Sequence, residues 1–266
     1  MRALNACIFF VVAAIASPCA ARATETVGVL AVAPPPGPGP ELVELAVQLR
    51  QVMAERMTLS FQTTPHFYLT SELDATALLA LKERLAQMAA DGPGVTVSDI
   101  LVKLVAAALR ASAFANAAWR DGAVEHFDQV NIGLATATEH GLVVPVIQEA
   151  DRQTFREIAQ QRQGLLARAR EGRLSLEDIS GGTFTLSNLG MYGVDQFAGI
   201  INPPQAALLA VGRIKPRPYG LDGKIKLRPT LFATLSVDHR VMDGAQGAAL
   251  LERLAALIEQ PALLVA

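Results

Sequence analysis

Leu231-Phe232-Ala233-Thr234-Leu235-Ser236-Val237 runs without a break into Asp238-His239-Arg240-Val241-Met242-Asp243-Gly244. The apolar run reads as a strand, and the second heptapeptide as the turn that leaves it. A histidine at a strand end, with a carboxylate four residues on and a glycine behind it, is a way to expose a general base and fix its surroundings. The substrate group for such a base is a thiol or a hydroxyl. The plainer reading of the same residues is a strand-to-helix turn in which Asp243 is the N-cap. Taken alone, the stretch supports both.

Working outward, four separated segments add to it in order. They are Met53-Ala54-Glu55-Arg56-Met57 with Pro65-His66-Phe67-Tyr68-Leu69-Thr70; Val130-Asn131-Ile132-Gly133 running to Gly141-Leu142-Val143-Val144-Pro145-Val146-Ile147; Gly181-Gly182-Thr183-Phe184-Thr185-Leu186-Ser187-Asn188-Leu189-Gly190; and Ile201-Asn202-Pro203-Pro204-Gln205-Ala206-Ala207. With these, the chain from about Gln48 to Ala266 resembles the catalytic domain of the dihydrolipoamide acyltransferase components of 2-oxo-acid dehydrogenase complexes. The pyruvate dehydrogenase type is favoured by Asp243-Gly244-Ala245-Gln246-Gly247-Ala248.

The resemblance implies a chloramphenicol acetyltransferase-like fold and transfer of an acyl group, acetyl favoured, between dihydrolipoamide and coenzyme A. Coenzyme A is then a substrate, with a lipoyl group supplied in trans, because no lipoyl-lysine hairpin is recognisable in the sequence. By the same resemblance His239 is the base and the Ser187 hydroxyl the oxyanion donor. Ser187 read alone is a serine at a strand end satisfied by backbone, and Thr185 and Asn188 are neighbours able to take the role. Asp243 is expected to cap the last helix and hold the histidine loop, with Arg240, Arg50 or Arg56 as ion-pair partner. Asp238 and His66 are read as structural. The resemblance further implies a homotrimer whose sites lie between subunits, with cubic or icosahedral cores built through C-termini. The tail Pro261-Ala262-Leu263-Leu264-Val265-Ala266 suits such docking, or folds back on its own domain. A core-forming subunit with little turnover, and a detached acyltransferase acting on a free small molecule, are the competing functions.

At 266 residues, 51% of them hydrophobic, the chain can bury one sizeable core. A net charge of −2 gives no broad basic field for nucleic acid or an anionic membrane. Both cysteines, Cys7 and Cys19, lie in the first twenty residues, so no thiol remains in the rest of the chain for a disulfide, a metal site or a nucleophile. Residues 1–23 read as a signal peptide or a non-native extension: Arg2, a short apolar run and Ala21-Arg22-Ala23 as a cleavage site. Export conflicts with the cytoplasmic or mitochondrial-matrix setting that the resemblance implies. Residues 24–41, with Pro34, Pro35, Pro36, Pro38 and Pro40, form a stiff linker, and 42–266 the catalytic domain with no membrane span.

Pattern and punctuation give helices over Leu42 to Ser60, from Asp74 through Met88, over Asp99 to Ala111 with Ser98 as N-cap, over Arg152 to Glu171 and from Asp243 through Ile258. Strands are expected over Phe67 to Leu73, Val130 to Thr138 and Leu142 to Ile147, the last two joined by a hairpin at Glu139-His140-Gly141. This alternation lacks both a glycine-rich phosphate loop and the regular repeat of a doubly wound sheet. The expected architecture is an α/β two-layer sandwich with a mixed sheet.

Overall fold

The 231–237 run lies in the C-terminal half of a 15-residue strand, β10 (Lys224–Asp238), around which the protein is built. The computed structural model describes residues 40–88, 93–139, 141–221 and 223–265. The signal-like segment and nearly all of the Pro-rich linker lie outside them, as does His140.

In chain order the elements are α1 (Pro40–Thr63), β1 (His66–Asp74), α2 (Thr76–Met88), α3 (Val97–Ala111), β2 (Ala117–Arg120), β3 (Ala123–His126), β4 (Ile132–Thr138), β5 (Gly141–Val143), β6 (Val146–Ile147), α4 (Phe155–Arg170), α5 (Leu176–Ile179), β7 (Phe184–Asn188), β8 (Ala207–Val211), β9 (Lys215–Leu221), β10 and α6 (Gly244–Glu259). Eight strands form one sheet in the order β1-β10-β8-β7-β4-β5, with β6 also on β4 and β9 also on β10. β4, β7 and β8 run parallel, and β10 is antiparallel to both β8 and β1, so the sheet is mixed as expected. β2 and β3 are a separate hairpin.

Alternation along β10 sorts its side chains by face. Leu231, Ala233, Leu235 and Val237 are fully buried in one apolar cluster with Ile100, Leu101 and Leu104 of α3 and Leu250, Leu254 and Ile258 of α6. Burial stabilises by roughly 1.5–3 kcal/mol for each large apolar side chain. At the alternate positions Phe232 is half-buried, and Thr230, Thr234 and Ser236 are buried too, but polar. Each finds a partner: Thr230 donates to Glu72 at 2.6 Å, Thr234 shares a bond with Thr70 at 3.0 Å, and Ser236 donates to the Gly199 carbonyl at 2.7 Å. The polar face is covered by the segment before β8 and by the end of α1, where Ser60 donates to the Ile201 carbonyl at 2.6 Å. One face of the sheet is therefore core, and the other carries polar chemistry.

Two local expectations need correction. The N-cap of α3 is Thr96, not Ser98, because Thr96 and Asp99 close a reciprocal capping box that Ser98 cannot make. The strand expected over Leu142 to Ile147 is broken into β5 and β6, since Pro145 has no N–H for the ladder and only its carbonyl bonds, to Leu134 N–H. α4 is tied to α3, where Arg162 donates at 2.6 Å to the fully buried Asp99. Asp74 does serve the start of α2, accepting the Thr76 N–H at 2.8 Å.

Candidate active site

His239 is the first residue past β10, whose last paired residue, Asp238, lies opposite His66. Its N–H donates to the Pro65 carbonyl at 3.0 Å, which ties the turn to the entry of β1. Asp238 closes the turn: its carboxylate accepts the Arg240 backbone N–H at 3.0 Å and the Arg240 guanidinium at 2.9 and 2.7 Å. That pairing pushes the Arg240 pKa up, and the guanidinium lies 5.6 Å from the Trp119 ring centre. The imidazole itself is exposed, packs on Phe67 with ring centres 5.0 Å apart, and hydrogen-bonds to no described residue.

Asp243 is the N-cap of α6, in extended backbone, accepting the Gln246 N–H at 2.8 Å while Gln246 accepts the Asp243 N–H at 3.0 Å. The capping role expected from sequence is present, but the expected ion pair is not. Arg240 is spent on Asp238, and among the described residues no salt bridge includes Asp243. One turn into α6, a Cβ on Gly247 would lie 3.2 Å from the Phe67 ring and 3.0 Å from Leu69. The bare backbone there lets α6 settle onto β1 and hold the ring against which His239 rests.

Ser187 sits on β7 and opens into a cavity of about 390 Å³ between the polar face of the sheet and α1. Its walls are largely apolar: Met53 and Met57 of α1, Leu142 and Val143 of β5, Ile179 of α5 and Leu208 of β8. The polar groups on it are Ser187, Thr185, Asn202 and Arg56. Thr185 donates to Gln205 Oε1 at 2.5 Å, and Asn188, outside the cavity and beside α3, donates to Ser98 at 3.2 Å while accepting the Gly190 N–H at 2.9 Å. The Ser187 hydroxyl bonds to no described residue, so the reading of it as a backbone-satisfied turn serine does not hold. Arg56 belongs to this cavity and is unpaired among the described residues; the Arg50 side chain lies outside them. His66 is structural, donating from Nδ1 to the Thr64 carbonyl at 2.8 Å and accepting the Ile201 N–H on Nε2 at 3.0 Å.

One chain does not bring His239 and Ser187 together. Ser187 is level with Ala210 of β8, which is level with Thr234 of β10, five residues short of His239. Two strand spacings across and five residues along put the backbones roughly 19 Å apart. Asn202 was part of a quoted motif without a role in the sequence reading; the signal available was a polar residue in an apolar run ahead of Pro203-Pro204. Among the described residues no three His, Cys, Asp or Glu side chains group as metal ligands, and no helix is long and apolar enough to cross a membrane.

A mixed sheet packed on α3 and α6 by one face, with a cavity under α1 on the other and a histidine just past a strand end, can carry acyl transfer, and comparison with known proteins places the chain. Residues 40–266 match the family described as 2-oxoacid dehydrogenases acyltransferase (catalytic domain). A dihydrolipoyllysine-residue acetyltransferase component of the pyruvate dehydrogenase complex from Rickettsia bellii is 40% identical over 219 residues, 82% of this chain and 52% of that protein. A crystal structure of the Azotobacter vinelandii dihydrolipoamide acetyltransferase superposes with TM-score 0.78 at 31% identity, covering 82% of this chain and 91% of that one. The cubic core of a pyruvate dehydrogenase multienzyme complex superposes with the same score at 32% identity and the same coverage. Chloramphenicol acetyltransferase, at 14% identity, TM-score 0.51 and coverage of 77% and 94%, shares the fold.

This chain belongs to the 2-oxoacid dehydrogenase acyltransferase family through that catalytic domain. It spans about half the length of the curated relatives it matches. The Azotobacter study concerns the catalytic roles of a serine, a histidine 52 residues later and an asparagine four residues after that. Ser187, His239 and Asp243 stand at the same two spacings.

Proposed function

We propose that this chain is the catalytic core of a dihydrolipoamide acetyltransferase of the pyruvate dehydrogenase type, moving an acetyl group between a dihydrolipoyl thiol and coenzyme A. The observation that carries the reading is that Ser187 and His239, at the family spacing, are the two groups in their motifs left without partners. His239 takes the proton of the coenzyme A thiol, and the thiolate attacks the carbonyl carbon of the acetyl-lipoyl thioester. The oxygen that gains the electron pair accepts a hydrogen bond from the Ser187 hydroxyl. Collapse re-forms the carbonyl, expels the dihydrolipoyl thiolate and returns the proton to it from His239. Asp243 keeps the turn and helix in register and takes no proton.

The roughly 19 Å between His239 and Ser187 in one chain argues that the site is completed between subunits, as in a trimer with threefold symmetry. Larger assembly fits the C-terminal tail, where Leu264 packs on its own core but Leu263 is 46% exposed. The lipoyl group arrives on another domain, and the reaction belongs where coenzyme A and 2-oxo acids are processed, in the bacterial cytoplasm or the mitochondrial matrix.

The test is acetyl transfer from acetyl-coenzyme A to free dihydrolipoamide, releasing coenzyme A, with His239→Ala and Ser187→Ala beside the unaltered chain. His239→Ala should abolish turnover, and Ser187→Ala should lower kcat by about 10²–10³. A well-folded trimer without turnover would instead mark a core-forming subunit.

A further inference from the structure

Resting on the acetyltransferase reading, we infer that Asn202 is a specificity residue that recognises the secondary amide of a substrate's thiol-bearing arm. The inference begins with the polar atoms of the Ser187 cavity. The cavity holds about 390 Å³, equal to a sphere about 9 Å across, and most of its wall is apolar. An amide drawn into such a space without a partner loses its hydrogen bonds to water and weakens binding about ten-fold or more, so an arm carrying one needs a matching group there. Both thiol substrates carry such amides, the dihydrolipoyl-lysine arm through its lysine linkage and coenzyme A in its pantetheine portion; free dihydrolipoamide, a primary amide, offers the same carbonyl and an N–H.

A secondary amide presents one N–H and one carbonyl, and few groups on the wall can answer both. Arg56 has donors only. The Thr185 proton is committed to Gln205 at 2.5 Å, and Ser187 is reserved for the oxyanion. Asn202 has both a donor and an acceptor in its carboxamide, and neither makes a hydrogen bond with any described residue. Its backbone is fixed from both sides. The Asn202 carbonyl accepts the Gln205 N–H at 3.1 Å, and the preceding Ile201 is held by Ser60 and His66. A free carboxamide on a tethered backbone, in an apolar cavity shared with the oxyanion donor, is suited to docking an amide at a set distance from the reacting thioester.

The experiment compares the full chain with Asn202→Ala, measuring KM and kcat for dihydrolipoamide, for the methyl ester of dihydrolipoic acid, which lacks the N–H, and for coenzyme A supplied as its acetyl thioester. If the amide is that of the lipoyl arm, KM for dihydrolipoamide rises about ten-fold, with kcat and the KM values for ester and coenzyme A nearly unchanged. If it is the pantetheine amide, KM for coenzyme A rises instead, and the preference for amide over ester survives. Unchanged KM values for every substrate, or a kcat loss common to all of them, would overturn the assignment. Asn202→Asp retains an acceptor and loses the donors, and should give an intermediate KM with the same selectivity; it serves in place of the alanine variant if that one unfolds. Absence of turnover in the unaltered chain would count against the acetyltransferase reading itself, and is read separately from these outcomes.

Discussion

Two inactive chains should make an active enzyme when mixed. The perturbation is a pair of variants, His239→Ala and Ser187→Ala, each silenced in its own homotrimer, unfolded or dissociated together and reassembled at equal concentration. The two residues lie roughly 19 Å apart in one chain, and on the proposed function each site pairs the histidine of one subunit with the serine of the next around a head-to-tail ring. In a mixed ring a site is intact when its histidine comes from a Ser187→Ala chain and its serine from a His239→Ala chain. Random assembly makes each choice half the time, so about one quarter of sites recover, whatever the arrangement of the third subunit. Sites lacking only the hydroxyl contribute little, since loss of one oxyanion donor costs about 2.7–4 kcal/mol of barrier. The assay is acetyl transfer to dihydrolipoamide before and after co-assembly, with each variant reassembled alone as control. Recovery near one quarter of the unaltered rate is expected. No recovery, with mixed rings demonstrated by mass spectrometry, would refute the shared site.

Three further outcomes follow from particular contacts. Asp243→Asn should keep both stability and turnover, because asparagine caps as well as aspartate, whereas Asp243→Ala should lose about 1 kcal/mol by denaturant titration and part of kcat. The Asp178 carboxyl is held down at about 2 by its hydrogen bonds with Arg168, despite some burial, and by the Ser175 N–H. A depressed carboxyl stabilises the fold fully above its unfolded value near 3.8, and that contribution disappears as pH falls through about 2. Asp178→Asn should therefore cost on the order of 1 kcal/mol at pH 7, discounted because the Arg168 side chain is 43% exposed, and flatten the acid limb of a pH–stability curve. Since Asp178 precedes the cavity residue Ile179, KM for the thiol substrates should rise with it. Leu263→Asp should leave trimer and activity intact but stop growth to larger cores, as read by sedimentation velocity.

Features set by neighbours in the chain were legible from sequence. Asp243 caps α6 because an N-cap needs only its own helix, and β10 reads as a strand because its apolar residues are its own. Where two caps competed within three residues, at Thr96 and Ser98, the decisive partner was Asp99, and Thr96 alone stands three residues before it. The β2–β3 hairpin was missed although its signal was present: Asp121-Gly122 is a two-residue turn with φ of 50° and 81°. Its flanking strands are only four residues each, and the exposed β3 lacks an apolar alternation to announce it. What could not be read was anything set by register between distant strands. The distance from Ser187 to His239 is a property of three paired strands, and the cavity that includes Asn202 and Arg56 exists only once α1 lies over the sheet.

The choice among neighbours within each motif also becomes physical once partners are counted. In Thr185-Leu186-Ser187-Asn188 the sequence offers three polar side chains for one oxyanion. Thr185 is bonded to Gln205, Asn188 to Ser98 and Gly190, and Leu186 is in the core, so the free hydroxyl is that of Ser187. In Asp238-His239-Arg240 the flanking charges neutralise each other at 2.7 Å, and the histidine between them is left facing outward. The motif residues around each free group hold backbone and neighbouring charge in place, so that a proton acceptor and a hydrogen-bond donor remain unspent. Substitutions at Asp238, Arg240, Thr185 or Asn188 should accordingly act through folding and geometry, whereas those at His239 and Ser187 should remove chemistry from a protein that still folds.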